Sequence, residues 1–198
     1  PKHTPYGVEW AVAPHLSWAL PGMTVHGDTE LANQLALAIP DWQLDAEAHR
    51  DEHAIEVELP FLHRLAPHTR VVGVALGGCG LDRCHSFATG LAKVLREWSD
   101  EVLILISSDM NHFACDEENR RLDAPAINAL ETLDPEHVFT VVHENDISMC
   151  GRLPADIAMM ALNQQKPLST AKRVAYATSA DVTGDTRRVV GYAGMLFR

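Results

Sequence analysis

The sequence predicts an α/β fold, with a mostly parallel central sheet and helices on both faces. Three observations predict it. Residues 102–106, Val-Leu-Ile-Leu-Ile, are apolar at every position, as suits a strand buried on both faces. Residues 81–98 carry apolar side chains at helical spacing, and residues 70–76, Arg-Val-Val-Gly-Val-Ala-Leu, precede them as a β-rich run. Strand, helix and strand in that order make a βαβ unit.

The remaining elements follow in chain order. Residues 8–13 form a short apolar stretch closed by Pro14, which predicts a strand. Residues 28–39 predict a helix, because Asp28 suits an N-cap and Leu31, Leu35 and Ala38 recur at helical spacing before Pro40 ends the pattern. Residues 51–65 predict a second helix lined by Ile55, Leu59, Leu62 and Leu65; Pro60 inside it marks a kink or a first turn. Residues 122–133, 135–143 and 154–163 predict three more helices. Residues 174–178 and 189–197 predict the last strands, joined by the turn-like segment 181–185. No repeat, low-complexity tract or linker interrupts the 198 residues, so the reading is one domain, residues 1–198.

Composition narrows the function. With 27 acidic against 16 basic residues, the formal charge is −11, which repels nucleic acid and anionic membrane. No apolar run approaches the length needed to cross a bilayer, and the visible N-terminus lacks a signal pattern. The cysteines, Cys79, Cys84, Cys115 and Cys150, show no disulfide framework and read as thiols of a reducing compartment. A cytoplasmic protein is expected. The four residues between Cys79 and Cys84 match zinc-ribbon spacing poorly, and both read as structural.

Several segments gather reactive side chains. The apolar run 102–106 leads directly into Ser107-Ser108-Asp109-Met110-Asn111-His112. Sites in open α/β sheets form beyond strand carboxyl ends, and the i,i+3 spacing lets Asp109 fix the His112 ring within one turn. A polar loop with Asp109 capping a helix explains the same spacing. Asp51-Glu52-His53-Ala54-Ile55-Glu56 places acids and an imidazole at a helix start, where a cap competes with a metal site as the explanation. Cys150 lies beside Arg152 and ahead of a helix, which makes it a candidate thiolate ligand or nucleophile, or else an inert buried cysteine. His3, read alone, carries no signal.

Taken together, these segments resemble the Memo family, a group also named for its genomic association with a radical-SAM protein. Pro1-Lys2-His3 resembles the end of the family's Gly-Pro-x-His motif. Asp51-Glu52-His53-Ala54-Ile55-Glu56 with Leu59-Pro60-Phe61 resembles its Asp-Glu-His-Ser-Ile-Glu…Leu-Pro-Phe/Tyr signature. Ser107-Ser108-Asp109 with His112, and Cys150-Gly151-Arg152 with Pro154, match two further elements, and Tyr176…Thr178-Ser179 with Val190-Gly191-Tyr192 fits the tail. The resemblance implies a fold shared with class III extradiol dioxygenases, which hold iron(II), and a mononuclear metal site; imidazole and thiolate ligands suit iron(II) or copper. It implies His3 and Cys150 as metal ligands, and His112 as acid/base or extra ligand with Asp109 beside it. Glu52, His53 and Arg152 would line or support the pocket. The family's other metal histidine belongs to an upstream Pro-His-Ala-Gly-Tyr motif that this sequence lacks, so the chain reads as missing the family's N-terminal segment, and weak or absent metal binding is expected.

Two functions remain open on this reading. One is a metal-dependent oxidoreductase acting on a small organic molecule or a modified partner. The other is a non-catalytic module that binds a small-molecule or peptide ligand in the same cleft, with a radical-SAM companion as a candidate partner. Hydrolysis by Cys150 or Ser108 with His112 as base is a weaker third, because the Gly-x-Ser-x-Gly elbow is missing.

Overall fold

A computed structural model describes all 198 residues. The chain divides into two compact units, Pro1–Ser107 and Ser108–Arg198.

The first unit opens with β1 (Trp10–Val12), then a hairpin of β2 (Ser17–Leu20) and β3 (Met23–His26). The hairpin was not anticipated. Its signal is Pro21-Gly22, and Gly22 takes φ of +77°, a conformation glycine adopts without strain. Helix α1 (Thr29–Ala38) starts where Asp28 accepts the Leu31 N–H at 3.0 Å, as its cap predicts. After β4 (Gln43–Leu44) and a 3-10 turn (Glu47–His49), the expected second helix is two pieces, α2 (His53–Glu56) and α3 (Leu59–Leu65). Pro60 sits in the first turn of α3, where its missing N–H costs nothing. Then come β5 (Val74–Leu76) and α4 (Leu81–Glu97). The apolar face of α4 buries Cys84, Phe87, Ala88 and Val94, and Trp10 and Trp42 both meet the Phe87 ring edge-on at 5.5 and 5.7 Å.

The sheet differs from the expected one. Three strands pair in the order β4-β1-β5, with β1 parallel to β4 and antiparallel to β5. The fold is mixed α/β, but its sheets are small and partly antiparallel. Residues 102–106 form no strand, so the βαβ unit is not completed. Leu103 is 78% exposed and Leu105 50%. The apolar run carries β propensity, yet a strand exists only where a neighbour takes up its backbone N–H and C=O groups, and none pairs there.

The second unit holds α5 (Asp116–Glu131), α6 (Pro135–Glu144), α7 (Arg152–Asn163), β6 (Ala171–Thr178), the short α8 (Ala180–Thr183) and β7 (Gly191–Phe197). Helix α5 begins six residues before the expected start, because Asp116, Glu117 and Glu118 occupy its first turn and suit the positive end of the helix dipole. Helix α6 begins as expected, with Asp134 accepting from His137 N at 3.1 Å and Pro135 in the first turn. Strands β6 and β7 are antiparallel, from Ala171 opposite Phe197 to Thr178 opposite Gly191. Ile127, Val138, Ile157 and Met159 fill this core. No helix of either unit is long and apolar enough to cross a membrane.

Candidate metal centre

In the second unit, the loop from Ser108 to Phe113 is fixed on two sides. Along its backbone, Met110 N donates to Gly191 O at 2.8 Å, Gly191 N to Asn111 O at 3.0 Å and Phe113 N to Val189 O at 2.8 Å. Behind it lies a buried polar network. Asn111 N donates to Asp123 Oδ1 at 2.7 Å, the Asn111 amide donates to Asn119 Oδ1 at 2.9 Å, and the Tyr176 hydroxyl donates to Asp123 Oδ2 at 2.7 Å. Asn119 and Asp123 are fully buried, yet each has partners, as buried polar groups require. Burial pushes the Asp123 carboxyl up against the pull of these hydrogen bonds, and burial followed by Asp123 pushes Tyr176 up. At Gly191, an added Cβ would collide with the Asp123 carboxylate, so only glycine fits between strand and network.

That loop presents Asp109 and His112 as their spacing predicts. His112 Nε2 stands 3.2 Å from Asp109 Oδ2. The other face of the ring is held too: Ser148 Oγ accepts the His112 backbone N–H at 2.8 Å and lies 3.2 Å from Nδ1. Ser148 is itself anchored by Asn111, whose Oδ1 accepts from the Ser148 N–H and hydroxyl, both at 3.1 Å.

Cys150 completes the group. Its sulfur accepts the Asp109 backbone N–H at 3.1 Å, and Ser108 Oγ, 4.0 Å from that sulfur, accepts from Gly151 N at 2.9 Å. One donor atom each from Asp109, His112 and Cys150 lies within 4.8 Å of the others. Ligands bound about 2.0–2.3 Å from one ion stand roughly 3–4 Å apart, a spacing that the 4.8 Å limit of this group brackets from above. A thiolate, an imidazole and a carboxylate are a donor set that iron and copper accept. The N–H bond to the sulfur is the kind of outer contact that orients a metal thiolate. Arg152 turns elsewhere, its guanidinium stacked 4.4 Å from the Phe139 ring centre.

In the first unit, a second group gathers His3, Glu52 and His53, again with donor atoms within 4.8 Å of one another. His3 is not a frayed terminus. Lys2 N donates to Leu76 O at 2.9 Å, and Glu52 grips His3 through both its backbone N–H and its ring, with Nδ1 2.8 Å from Oε1. A carboxylate holding one ring nitrogen in this way fixes the orientation of the imidazole. Burial pushes the Glu52 carboxyl up, but the hydrogen bonds from the His3 ring and the His3 and Ala54 backbone overcome it and hold the group at about 2. The Glu52 side chain is only 1% exposed, so its charge is stabilised by these donors rather than by water. His53 stacks on His3 with ring centres 4.6 Å apart and is largely exposed, with Nδ1 3.5 Å from Glu52 Oε1.

Sequence reasoning singled out His3, Glu52, His53, Asp109, His112 and Cys150, and the structure gathers the first three within one unit and the last three within the other. It missed Ser148 and the Asn111–Asn119–Asp123–Tyr176 network. The one available signal was Asn119 and Asp123 at i,i+4 on α5, two polar groups on a face that also carries Ala126, Ile127 and Leu130.

Comparison with known proteins places the whole chain in one family. The family described as Memo-like protein matches residues 1–196. A MEMO1 family protein of Archaeoglobus fulgidus is 35% identical over 198 residues, covering all of this chain and 74% of the relative. A second, from Aquifex aeolicus, is 34% identical over 200 residues, covering 100% of this chain and 73% of the relative. A third, from Methanococcoides burtonii, is 33% identical over 199 residues and 74% of its own length. With a family match across nearly its whole length and relatives of this similarity, the chain belongs to the Memo-like family.

Proposed function

We propose that this Memo-like chain is a metal-dependent redox protein, related in chemistry to the class III extradiol dioxygenases, whose mononuclear iron or copper site uses Cys150 and His112. One observation carries the reading: the Cys150 thiol, just ahead of α7, lies within 4.8 Å of the His112 imidazole and the Asp109 carboxylate on a loop held by a buried network. A bound iron or copper ion would supply one-electron and O₂ chemistry there. The chain's own groups do the rest. Cys150 would serve as a ligand whose lone pairs are oriented by the Asp109 N–H. Asp109 Oδ2 holds His112 Nε2 at 3.2 Å and Ser148 fixes the ring plane, so His112 is oriented to pass a proton at that nitrogen. The substrate of this reading is a small organic molecule or a modified partner.

The test is metal content and O₂ consumption of the purified chain reconstituted with Fe(II) or Cu, beside Cys150→Ala, His112→Ala and His3→Ala. The reading expects loss of bound metal in Cys150→Ala and of turnover in His112→Ala. Metal content that survives unchanged in all three variants refutes it.

A further inference from the structure

In the first unit, and not part of the His3–Glu52–His53 group, Cys79 Sγ and Cys84 Sγ lie 3.6 Å apart. β5 ends at Leu76 and α4 begins at Leu81, so Gly77-Gly78-Cys79-Gly80 forms the turn between them. The start of this turn is tethered: Gly77 N donates to Glu9 O at 2.9 Å, and Gly78 N to the Glu9 carboxylate at 3.0 Å. At its far end Gly80 O accepts from Arg83 N at 3.1 Å and Cys84 N at 3.2 Å, while space is open beside the glycines that flank the thiol. A Cβ added at Gly78 or at Gly80, on either side of Cys79, would meet nothing within 4 Å. Cys84 sits one turn into α4, fully buried on its core face, while Cys79 is half-buried.

We propose that Cys79 and Cys84 are a reversible dithiol–disulfide couple, oxidised by a low-molecular-weight disulfide of the glutathione class. A disulfide bond is about 2.05 Å long, so the sulfurs must approach by about 1.5 Å, a shift that rotation of the Cys79 side chain and adjustment of its glycine-flanked backbone supply. Exposure sets the order of events. The Cys79 thiolate attacks one sulfur of the oxidant, breaking its S–S bond, forming a mixed disulfide and expelling one thiolate. The Cys84 sulfur then attacks Cys79 Sγ, breaking the mixed disulfide and expelling the second thiolate. The two protons lost by the cysteines go to the two released thiolates. Two electrons leave the protein, and one oxidant disulfide becomes two thiols. Neither cysteine belongs to a three-donor group that would favour a metal instead. The inference does not rest on the metal reading above.

The experiment equilibrates the full chain with reduced and oxidised glutathione at several ratios, quenches the thiols and maps the peptides by mass. The expected product is a Cys79–Cys84 crosslink that removes ~2 Da from the peptide pair and that dithiothreitol reverses, whether or not the exposed Cys115 takes a separate glutathione adduct. Cys84→Ser is expected to arrest at a glutathione adduct on Cys79, and Cys79→Ser to leave Cys84 unreacted. A lasting glutathione adduct on Cys79 in the unsubstituted chain overturns the proposal. So does a crosslink from either residue to Cys115 or Cys150, or retention of both thiols at the most oxidising ratio. Cys79→Ser changes a half-buried turn residue and keeps the test independent of any folding defect in Cys84→Ser.

Discussion

Glu52 holds His3 by ring and backbone at once: Oε1 lies 2.8 Å from Nδ1, and Oε2 accepts the His3 N–H. The same carboxylate also caps α2 through the Ala54 N–H at 3.1 Å. One buried negative charge therefore links the first residues of the chain to the start of a helix.

Glu52→Gln is expected to destabilise the first unit by about 2–4 kcal/mol, because the amide keeps the shape but cannot accept from three donors as an anion. The sign of the acid dependence follows from its pKa. The folded value, about 2, lies below the ordinary 4.5. Stability from this group is therefore complete above the ordinary value and is lost as pH falls from about 4.5 towards about 2. Denaturant midpoints across that window should fall in the native chain and fall less in Glu52→Gln.

His49 gives a separate window. It is 8% exposed, neither ring nitrogen has a hydrogen-bond partner, and it meets the His15 ring edge-on at 5.7 Å. Burial, with His15 second, lowers it from 6.5 to about 4. The folded chain thus holds the neutral ring, and its stability is complete above pH 6.5 and lost as pH falls towards about 4. His49→Leu, which keeps the site apolar, should flatten the stability profile between those values and leave the Glu52 window intact.

Tyr176→Phe removes the hydroxyl that donates to buried Asp123 at 2.7 Å. The expected loss is about 1–3 kcal/mol, since a buried carboxylate oxygen forfeits a donor. Thermal unfolding measures it.

Gly191→Ala is expected to be worse for the site than for the fold. Its methyl would press on the Asp123 carboxylate, which carries Asn111 N and, through Asn111, Ser148. Metal affinity should fall roughly 10–100-fold, the usual cost of disturbing groups that orient ligands, with helix content retained by circular dichroism.

Asp109→Asn tests the imidazole's partner. The amide keeps the shape but replaces a carboxylate acceptor beside His112 Nε2, so the ring loses the partner that orients it. Turnover should drop more than metal content, read as kcat beside metal per chain.

Local signals were legible in the sequence where local physics decides. Asp28 and Pro40 bracket α1, and Asp134-Pro135 opens α6, because caps and proline act within one turn. The Asp109–His112 pair was legible for the same reason. Residues 102–106 show the opposite case: apolar content was read correctly, but strand formation depends on a neighbour that no local pattern reports. The approach of Cys150 to Asp109 N spans 41 positions and rests on how α7 and the Asp109 loop are placed, so only the family resemblance pointed to it. The Asn111–Asp123–Tyr176 network was invisible because its members, scattered over three elements, look like ordinary polar residues until burial gives them their energy.

The donors near Asp109 borrow their stiffness from the final hairpin. Met110 and Phe113 are stitched to the backbone at Gly191 and Val189, at the head of a ladder whose other end is Phe197 opposite Ala171. Fraying that begins at the far rungs has a direct route to the sulfur and imidazole. The ladder is thus a mechanical lever, and whatever braces or loosens its distant end tunes how sharply the reactive atoms are aimed.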